Sequence, residues 1–471
     1  MPLIIPANTT TTAAYDVANS CRFNSADSAY MDYADHPGTT GGEFEYTLSL
    51  WVKRGLLGSA QYLYSYARDA NATEYLRFDA GDTLTYYINV SGSNSTHTTT
   101  QVFRDCSAWY HIVLVYDAEN GTDADKVRIF VNGVRVTSFS TETAPVSTWS
   151  AWVNDGRYDP GLGCLWDGSS ASAFFDGYMA EVVFLDAAAS APTSFGEFDS
   201  SSPTIWKPKD VSGLTFTGSS SFYLDFEDSG DLGDDESGEG NDFNEANLAA
   251  TDQSTDTPTN NFAIMNPLNY GTNYTWSEGN LELTQTATNW DSAYASIGVT
   301  SGKWYMEIKR TAGDHFDIGV TDVVAPTGNF SQNSGCVAYK SNGEIAQGGS
   351  LEGTNVATFT TNDIVSVGLD ADNEAVYFGL NGTWLNSGDP TSGASKTGAF
   401  DLPNSGSTYF MGFSPYKGGS SASGAGQANF GTPPFSISSA NADADDQGSF
   451  EYAVPSGYFA LCTKNLAEYG G

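Results

Sequence analysis

A polar loop that contains two aromatic residues, NDGRYDPGLGCLWDG (Asn154–Gly168), holds the side chains best suited to bind a ligand. Tyr158 and Trp166 could each stack on the apolar face of a sugar ring, and Asn154 could hydrogen-bond its hydroxyl groups. We therefore predict a carbohydrate-binding site at Asn154, Tyr158 and Trp166. The alternative is that Trp166 anchors the loop on the core of a domain.

Signatures of catalysis are scarce in this sequence. The histidines are His36, His97, His111 and His315. They form no HExxH motif, and no GxSxG motif is present. His315 lies between Asp314 and Asp317 in AGDHFDIG, so a ligand-binding or acid–base role stands open beside a structural one. We predict that the protein is not an enzyme and has no catalytic residues.

The charge of the chain excludes two classes of partner. The formal net charge is −38, from 57 acidic and 19 basic residues among 471. Such a field repels nucleic acid phosphates and anionic lipids, so we expect no nucleic acid partner. No segment approaches the about 18 apolar residues of a membrane span, so we expect no membrane insertion.

The cysteines and the N-terminus indicate assembly inside a cell. Five cysteines at scattered positions predict buried thiols rather than a disulfide framework or a zinc site. The first residues, MPLIIPANTTTTAAYD, lack the basic start and long apolar run of a signal peptide. We expect assembly in a reducing cytoplasm.

The elements that would position these side chains are β-strands. Two similar strings, KVRIFVNGVRV (Lys126–Val136) and AVYFGLNGTWL (Ala375–Leu385), each place Asn-Gly between β-forming residues. Asn-Gly in this setting predicts a two-residue hairpin, because both residues can adopt positive φ. Many other short runs alternate apolar and polar residues between turn clusters. The chain is therefore predicted to be all-β, with two β-sandwich domains in tandem.

An acidic stretch separates the two β-rich regions. Asp225–Glu245 holds ten carboxylates and no Lys or Arg, which is typical of a solvated loop or linker. The predicted organisation is an N-terminal arm at 1–19, a sandwich at 20–190, an acidic linker or subdomain at 191–270, a second sandwich at 271–437 and a tail at 438–471 that packs on a domain.

The first sandwich resembles the laminin-G and concanavalin A-like lectin family. The matching strings are YTLSLWVKRG (Tyr46–Gly55), WYHIVLVYD (Trp109–Asp117), VRIFVNGVRV (Val127–Val136) and DGYMAEVVFLD (Asp176–Asp186). The resemblance implies a jelly-roll-like sandwich with a calcium ion at its rim, for which the loop offers Asp155, Asp159 and Asp167 as oxygen ligands. The alternative is a solvated acidic loop, and we expect no other cofactor.

The second sandwich resembles a SPRY domain. The matching strings are GKWYMEI (Gly302–Ile308), DIGVT (Asp317–Thr321), DIVSVGLD (Asp363–Asp370), VYFGLNGTW (Val376–Trp384) and ANFG (Ala428–Gly431). The resemblance implies that loops between strands bind the ligand, among them Val323–Ser334 and Ser387–Lys396.

Three further segments resemble parts of tailed-bacteriophage virion proteins, notably from marine phages. They are SCRFNSADSAYMDY (Ser20–Tyr33), DTPTNNF (Asp256–Phe262) and GYFALCTKNL (Gly457–Leu466). This resemblance implies a structural protein on the virion surface, as a capsid decoration, head fibre or short tail fibre. It would associate with other virion proteins and with itself as a homotrimer, and would adhere to host glycans. The alternative is a glycan-degrading hydrolase on a concanavalin A-like fold.

Overall fold

The computed structural model describes residues 15–33, 44–153, 155, 159–216, 219–269, 273–325 and 327–470. The described residues up to Thr259 form one compact unit, and those from Asn260 onward form another. Each unit is a β-sandwich, which confirms the predicted all-β class with two sandwiches in tandem. No helix in the described part of the chain is long and apolar enough to cross a membrane.

The strands of the first unit are short to medium in length. They are β1 Ser20–Phe23, β2 Tyr30–Tyr33, β3 Glu45–Arg54, β4 Gln61–Asp69, β5 Ala72–Phe78, β6 Thr83–Val90, β7 Ser93–Val102, β8 Trp109–Asp117, β9 Val127–Val131, β10 Val134–Arg135, β11 Phe139–Glu142, β12 Gly161–Leu162, β13 Leu165–Trp166, β14 Ala171–Ser172, β15 Gly177–Asp186, β16 Gly196–Phe198, β17 Trp206–Pro208, β18 Phe222–Leu224, β19 Phe243–Ala246 and β20 Gln253–Ser254. Single 3₁₀ turns occur at Asp123–Asp125, Pro192–Ser194 and Ala250–Asp252.

Two large antiparallel sheets of the first unit face each other across a core. Among the described residues, one sheet has the order β10-β9-β8-β3-β15-β1-β20, with β18 also paired to β15. The other has the order β11-β7-β6-β5-β4-β12-β2-β19. Strands such as β5 alternate between buried and partly exposed residues, because one face packs inward. The central β15 is buried along its whole length, so both of its faces are covered.

Residues 191–259 of the predicted acidic linker or subdomain (191–270) belong to the first unit. Their strands β18 and β20 join one large sheet of the first unit, and β19 joins the other. Phe195 and Val211 pack on the outer face of the first sheet, against Val113 and Val183. Residues 191–259 thus complete the first sandwich, because they cover an apolar sheet face that would otherwise contact water.

The second unit contains the remaining strands and a short helix. They are β21 Tyr274–Ser277, β22 Glu282–Gln285, β23 Ala293–Tyr294, β24 Lys303–Ala312, β25 His315–Thr321, β26 Cys336–Lys340, β27 Glu344–Gln347, β28 Ser350–Asn355, β29 Ile364–Asp370, β30 Ala375–Leu380, β31 Thr383–Trp384, β32 Phe400–Asp401, β33 Phe410–Tyr416, β34 Gly424–Asn429, β35 Phe459–Ala460 and α1 Thr463–Tyr469. Its 3₁₀ turns lie at Glu278–Asn280, Phe330–Gln332 and Pro390–Ser395.

Two sheets also form the second sandwich. Among the described residues, the larger has the order β21-β22-β34-β24-β29-β30-β31, with β32 beside β30 and β35 beside β24. The smaller has the order β23-β33-β25-β26-β27-β28. Rings from the two sheets meet in the core, as where Tyr339 and Phe378 have centroids 5.6 Å apart. The tail contributes β35, which runs parallel to β24.

Both Asn-Gly hairpins form as predicted. The first joins β9 to β10 and the second joins β30 to β31. Asn132 and Gly133 have φ values of 49° and 75°, and Asn381 and Gly382 have φ values of 46° and 82°. Positive φ at both central residues is the conformation that matches the right-handed twist of the flanking strands.

A buried ion pair fixes the end of the first unit to its sheet. Lys53 Nζ lies 2.6 Å from Asp256 Oδ2, and neither side chain is exposed. Trp109 Nε1 donates a hydrogen bond to the other carboxylate oxygen at 3.0 Å. Asp256 opens the DTPTNNF segment, so this segment is part of the folded domain up to Thr259.

We expect Asp256→Ala to destabilise the first unit by about 3–5 kcal/mol, because the Lys53 ammonium would stay buried without its partner. Scanning calorimetry of the full chain would measure this as a lower transition temperature. Asp125→Ala is the matched control, since its pair with Arg135 is partly exposed and its loss costs at most about 1 kcal/mol. Equal losses in the two variants would contradict the prediction.

Candidate functional site

Trp166, near the end of the predicted sugar-binding loop, packs against the first unit. Trp166 is only 8% exposed, and its ring centroid lies 5.6 Å from that of Tyr30. Its Nε1 is buried and has no hydrogen-bond partner. Asn154 and Tyr158, the other two residues of the predicted carbohydrate site, lie outside the described residues. The observed position of Trp166 corresponds to the anchoring alternative.

The three predicted calcium ligands have different environments. Asp155 is fully buried, Asp159 is half-buried and Asp167 is exposed. Hydrogen bonds from Ser170 and then Ser169 hold the pKa of Asp167 down to about 2. In the part of the chain that the structure describes, no three Asp, Glu, His or Cys side chains are grouped to hold a metal. Calcium binding by this loop stays a prediction.

A concave site with aromatic and polar walls lies in the second unit, and we call it the aromatic pocket. Its cavity measures about 380 Å³. The residues that line it are Trp290, His315, Asp317, Asn329, Lys340, Ser341, Asn342 and Tyr416. They come from β25, from the ends of β26 and β33, from the loop before β23, from the loop between β25 and β26, and from the turn after β26.

The strand register brings the side chains of this pocket together. Along β25, Phe316, Ile318 and Val320 are fully buried in the core. Since side chains alternate along a strand, His315 and Asp317 project from the opposite face. Cross-strand pairing sets His315 opposite Tyr416 of β33 and Asp317 opposite Lys340 of β26.

Three rings form one wall of the pocket. Trp290 and Tyr416 are stacked, with centroids 4.8 Å apart and planes at 14°. The His315 ring lies 6.3 Å from Trp290 and 5.8 Å from Tyr416. The Trp290 carbonyl accepts a hydrogen bond from Gly328 N at 3.0 Å, which fixes the loop that carries the indole. Partly exposed rings of this kind offer an apolar face to a ligand.

Asp317 is the unusual polar residue of the pocket. It is 1% exposed, and its Oδ2 has no hydrogen-bond partner. Burial raises its pKa to about 6, although the polar groups of Ser331 and the charge of Lys340 oppose the shift. A buried carboxylate oxygen without a donor is costly to the fold, because it has lost its contacts with water without gaining a partner.

The other polar groups of the pocket hydrogen-bond to their neighbours and can still donate further hydrogen bonds. Lys340 Nζ donates to Glu344 Oε2 at 2.6 Å, and Asn342 Nδ2 donates to the same oxygen at 2.8 Å. An ammonium carries three N–H groups and an amide carries two, so each side chain can donate further hydrogen bonds. Asn329 Oδ1 accepts from the backbone and hydroxyl of Ser331, which orients that side chain at the pocket wall.

Part of this pocket carries a signal in the sequence. His315 stands out because it lies between Asp314 and Asp317, and Asn329 lies in the loop Val323–Ser334 that the SPRY resemblance implies as a binding loop. Trp290 and Tyr416 carry no such signal, because only the pairing of β23 and β33 brings their distant segments together. The other predicted loop, Ser387–Lys396, contributes no residue to the pocket lining within the described chain.

Comparison with known families agrees with the two sandwiches. Residues 25–193 match the family model of the concanavalin A-like lectin/glucanases superfamily, laminin G type. Residues 303–420 match the model of the SPRY domain. The chain carries a concanavalin A-like domain followed by a SPRY domain. The aromatic pocket is built mainly from residues of the SPRY domain, with Trp290 preceding the matched region.

The solved structures that the chain resembles share little sequence with it. The SPRY domain of human HERC1 is 18% identical, with a TM-score of 0.29 over 35% of this chain and 96% of that one. A native heptameric SAP-like pentraxin from Limulus polyphemus is 14% identical, with a TM-score of 0.27 over 38% of this chain and 80% of that one. No curated protein matches the chain.

Because the pKa of Asp317 is raised, we expect the stability of the protein to depend on pH. At pH values between the ordinary carboxyl pKa and about 6, the Asp317 carboxyl is deprotonated in the unfolded state but still protonated in the folded state. Stability therefore falls as pH rises through this window, and the full penalty is present above it. We expect Asp317→Asn to raise the free energy of unfolding at pH 8 by about 2–3 kcal/mol and to change it little near pH 4.

Urea unfolding of the full chain at both pH values would measure this difference. Asp370→Asn is the matched control, because Asp370 is equally buried but its carboxylate lies 3.0 Å from Lys303 Nζ. That variant should lose stability at pH 8. A similar loss in Asp317→Asn would show that the Asp317 carboxylate is satisfied by the fold itself.

Proposed function

We propose that the protein is a non-enzymatic structural protein on the surface of a tailed-bacteriophage virion, where it adheres to host glycans. The observation that carries the glycan-binding part is the aromatic pocket, in which stacked rings stand beside polar groups of both hydrogen-bonding types. Sugar rings are bound in this way, through an aromatic face for their C–H groups and through polar side chains for their hydroxyls.

The chemistry of the pocket favours binding over hydrolysis. Most glycosidases use two carboxyl groups, about 5–10 Å apart, on either side of the bond that is cleaved. The described lining of the pocket contains one carboxylate, Asp317. In the first unit, the interior carboxylate of Glu74 accepts hydrogen bonds from Tyr46, Tyr86 and the backbone of Trp152, which supports a structural role.

The proposed location rests on the three segments that resemble phage virion proteins. Display in many copies, as a capsid decoration or short fibre of homotrimers, would make weak contacts to glycans effective, because linked sites raise the local concentration of the partner. The large negative charge is compatible with a particle surface in a saline medium, where salt screens repulsion between copies.

We expect Trp290→Ala to weaken saccharide binding at least tenfold, because a sugar ring would lose the broad face on which it stacks. Titration calorimetry with oligosaccharides released from the host surface would measure the dissociation constant. Leu351→Ala is the control, since Leu351 is 57% exposed on β28 of the same unit and does not line the pocket. Unchanged affinity in Trp290→Ala would exclude the pocket as the glycan site.

We expect mass spectrometry of purified virions to detect this chain at many copies per particle. The copy number, divided by the number of sites on the capsid or tail, would distinguish a decoration from a fibre. Absence of the chain from particles would overturn the virion part of the proposal. Release of reducing sugar from host polysaccharide by the purified protein would overturn its non-enzymatic part.

A further inference from the structure

We propose that residues 15–17 form a strap that closes over the Glu181 carboxyl group while this group is protonated and opens more readily once it is ionised. We call these residues the N-terminal strap, and they belong to the predicted N-terminal arm at 1–19. The strap lies on the first unit, whereas the aromatic pocket lies in the second, so this inference does not depend on the proposed glycan binding. It makes the attachment of the N-terminal end of the chain depend on pH.

The strap is held on the outer face of the first sheet by apolar and polar contacts. Val17 is 5% exposed and packs with Trp51 of β3 and Trp206 of β17. Its backbone N–H donates a hydrogen bond to Thr259 Oγ1 at 3.0 Å. Tyr15 packs against the same cluster but is only partly buried. The strap therefore covers the sheet without pairing with a strand, so it can open without loss of the sheet.

Two tyrosine hydroxyls enclose the Glu181 carboxyl group. The Tyr15 hydroxyl donates to Oε2 at 3.0 Å, and the Tyr223 hydroxyl donates to Oε1 at 3.0 Å. The two hydroxyl oxygens lie 3.4 Å apart, and Glu181 is only 4% exposed. Tyr223 belongs to β18, which pairs with β15, whereas Tyr15 belongs to the strap. Opening of the strap would therefore return water to one side of this carboxyl group.

A bulge in β15 directs Glu181 away from the core and towards the strap. Met179 and Val182 are both core residues, although strict alternation along a strand would give Glu181 the core position after Met179. The register of β15 against β3 shifts between Ala180 and Val183, and Glu181 has a φ of 50°. A bulge can re-aim a side chain in this way, and a positive φ outside glycine persists only where the surroundings hold it. The fold thus keeps this carboxyl group beneath the strap at the cost of backbone strain.

The surroundings of Glu181 disfavour its charged form. Its hydrogen-bond donors within the described chain are neutral hydroxyls. Burial raises the pKa of Glu181 to about 7, the hydrogen bonds from the two tyrosines oppose this, and the nearby carboxylates of Asp225 and Glu227 raise it further. A carboxylate that is shielded from water and lies near other carboxylates is costly, so the protonated form suits the closed strap.

The sign of the pH dependence follows from which state binds the proton more tightly. Opening of the strap would hydrate Glu181 and lower its pKa towards the ordinary value. The closed state therefore binds the proton more tightly than the open state, and the strap is held most firmly at low pH. As the pH rises through about 7, the closed state loses this advantage.

The other ionisable groups around the strap and Glu181 are Tyr15, Tyr223, Asp210, Asp225, Glu227 and, through its hydrogen bond to Trp206, His111. Burial raises the pKa values of the two tyrosines and lowers that of His111 to about 3, so these groups keep their charge near pH 7. Hydrogen bonds from Ser212 lower the pKa of Asp210. The pKa values of Asp225 and Glu227 are raised by burial, so a control variant must separate these groups from Glu181.

The test is hydrogen–deuterium exchange of the full chain from pH 6 to pH 8.5, read at single amides and corrected for the pH dependence of chemical exchange. Exchange of this kind measures local opening. We expect protection of the Val17 amide to fall about tenfold or more, which requires the closed and open states to differ by about one in the pKa of Glu181. The Val136 amide, which donates to the Ile129 carbonyl at 2.8 Å, should keep its protection. A flat profile at Val17, or an equal fall at Val136, would overturn the inference.

Three variants assign the effect to Glu181. Glu181→Gln should abolish the fall, because an amide does not ionise, whereas the matched control Glu227→Gln should retain it, since Glu227 is exposed. Tyr15→Phe should lower protection of the Val17 amide more at pH 8.5 than at pH 6, because a hydrogen bond to a charged carboxylate is stronger than one to a neutral carboxyl group. An equal loss at both pH values would indicate a structural role alone. A fall of wild-type size in Glu181→Gln would also overturn the inference.

Discussion

The alternation of side chains along β25 is the constraint on which the aromatic pocket depends. Phe316, Ile318 and Val320 occupy the core, and this burial fixes which face His315 and Asp317 can take. A shift of one residue in register would place a carboxylate in the core and expose three apolar side chains. The free energy of core burial therefore holds an unsatisfied carboxylate in place, although that carboxylate itself opposes folding.

Other buried carboxylates of the protein have hydrogen-bond donors or an ion-pair partner within the fold. Glu307 accepts hydrogen bonds from Tyr305, Asn429 and the backbone of Glu451 and Tyr452, and so ties the tail to the second sandwich. Asp256 is neutralised by Lys53. Asp317 departs from this pattern because one of its oxygens lacks a donor, and it does so in a concave site with an aromatic wall. The contrast explains why burial raises the pKa of Asp317 and why its carboxylate opposes folding.

The sequence was informative where local chemistry decides the structure. Asn-Gly at positions 132–133 and 381–382 sets the hairpins by backbone conformation alone, and alternation of apolar residues predicts strands such as β5. The place of residues 191–259 in the first unit does not follow from a local pattern, because β18 and β20 are only three and two residues long and lie among acidic turns. Their place in the sheet depends on distant partners, such as Lys53 for Asp256, which no local pattern encodes.

The aromatic pocket is hard to predict from the sequence for the same reason. Trp290 and Tyr416 are 126 residues apart in number, and their rings meet only because β23 and β33 pair in the sheet. Trp166, by contrast, stood in a visibly polar loop, but a large aromatic ring in such a loop is as well suited to packing on the domain as to binding sugar. Sequence shows which side chains could do the chemistry, and the register decides which of them share a cavity.

The charge of the protein bears on which glycans it can bind in a saline medium. A surface with net charge −38 interacts with charged partners through a field that salt screens within about 10 Å or less at physiological ionic strength. Binding of a charged glycan would therefore change strongly between dilute and saline media. Contacts to a neutral sugar act at van der Waals and hydrogen-bond distances, where screening has little effect. A pocket of this kind can keep its affinity across salt concentrations while the acidic surface maintains solubility.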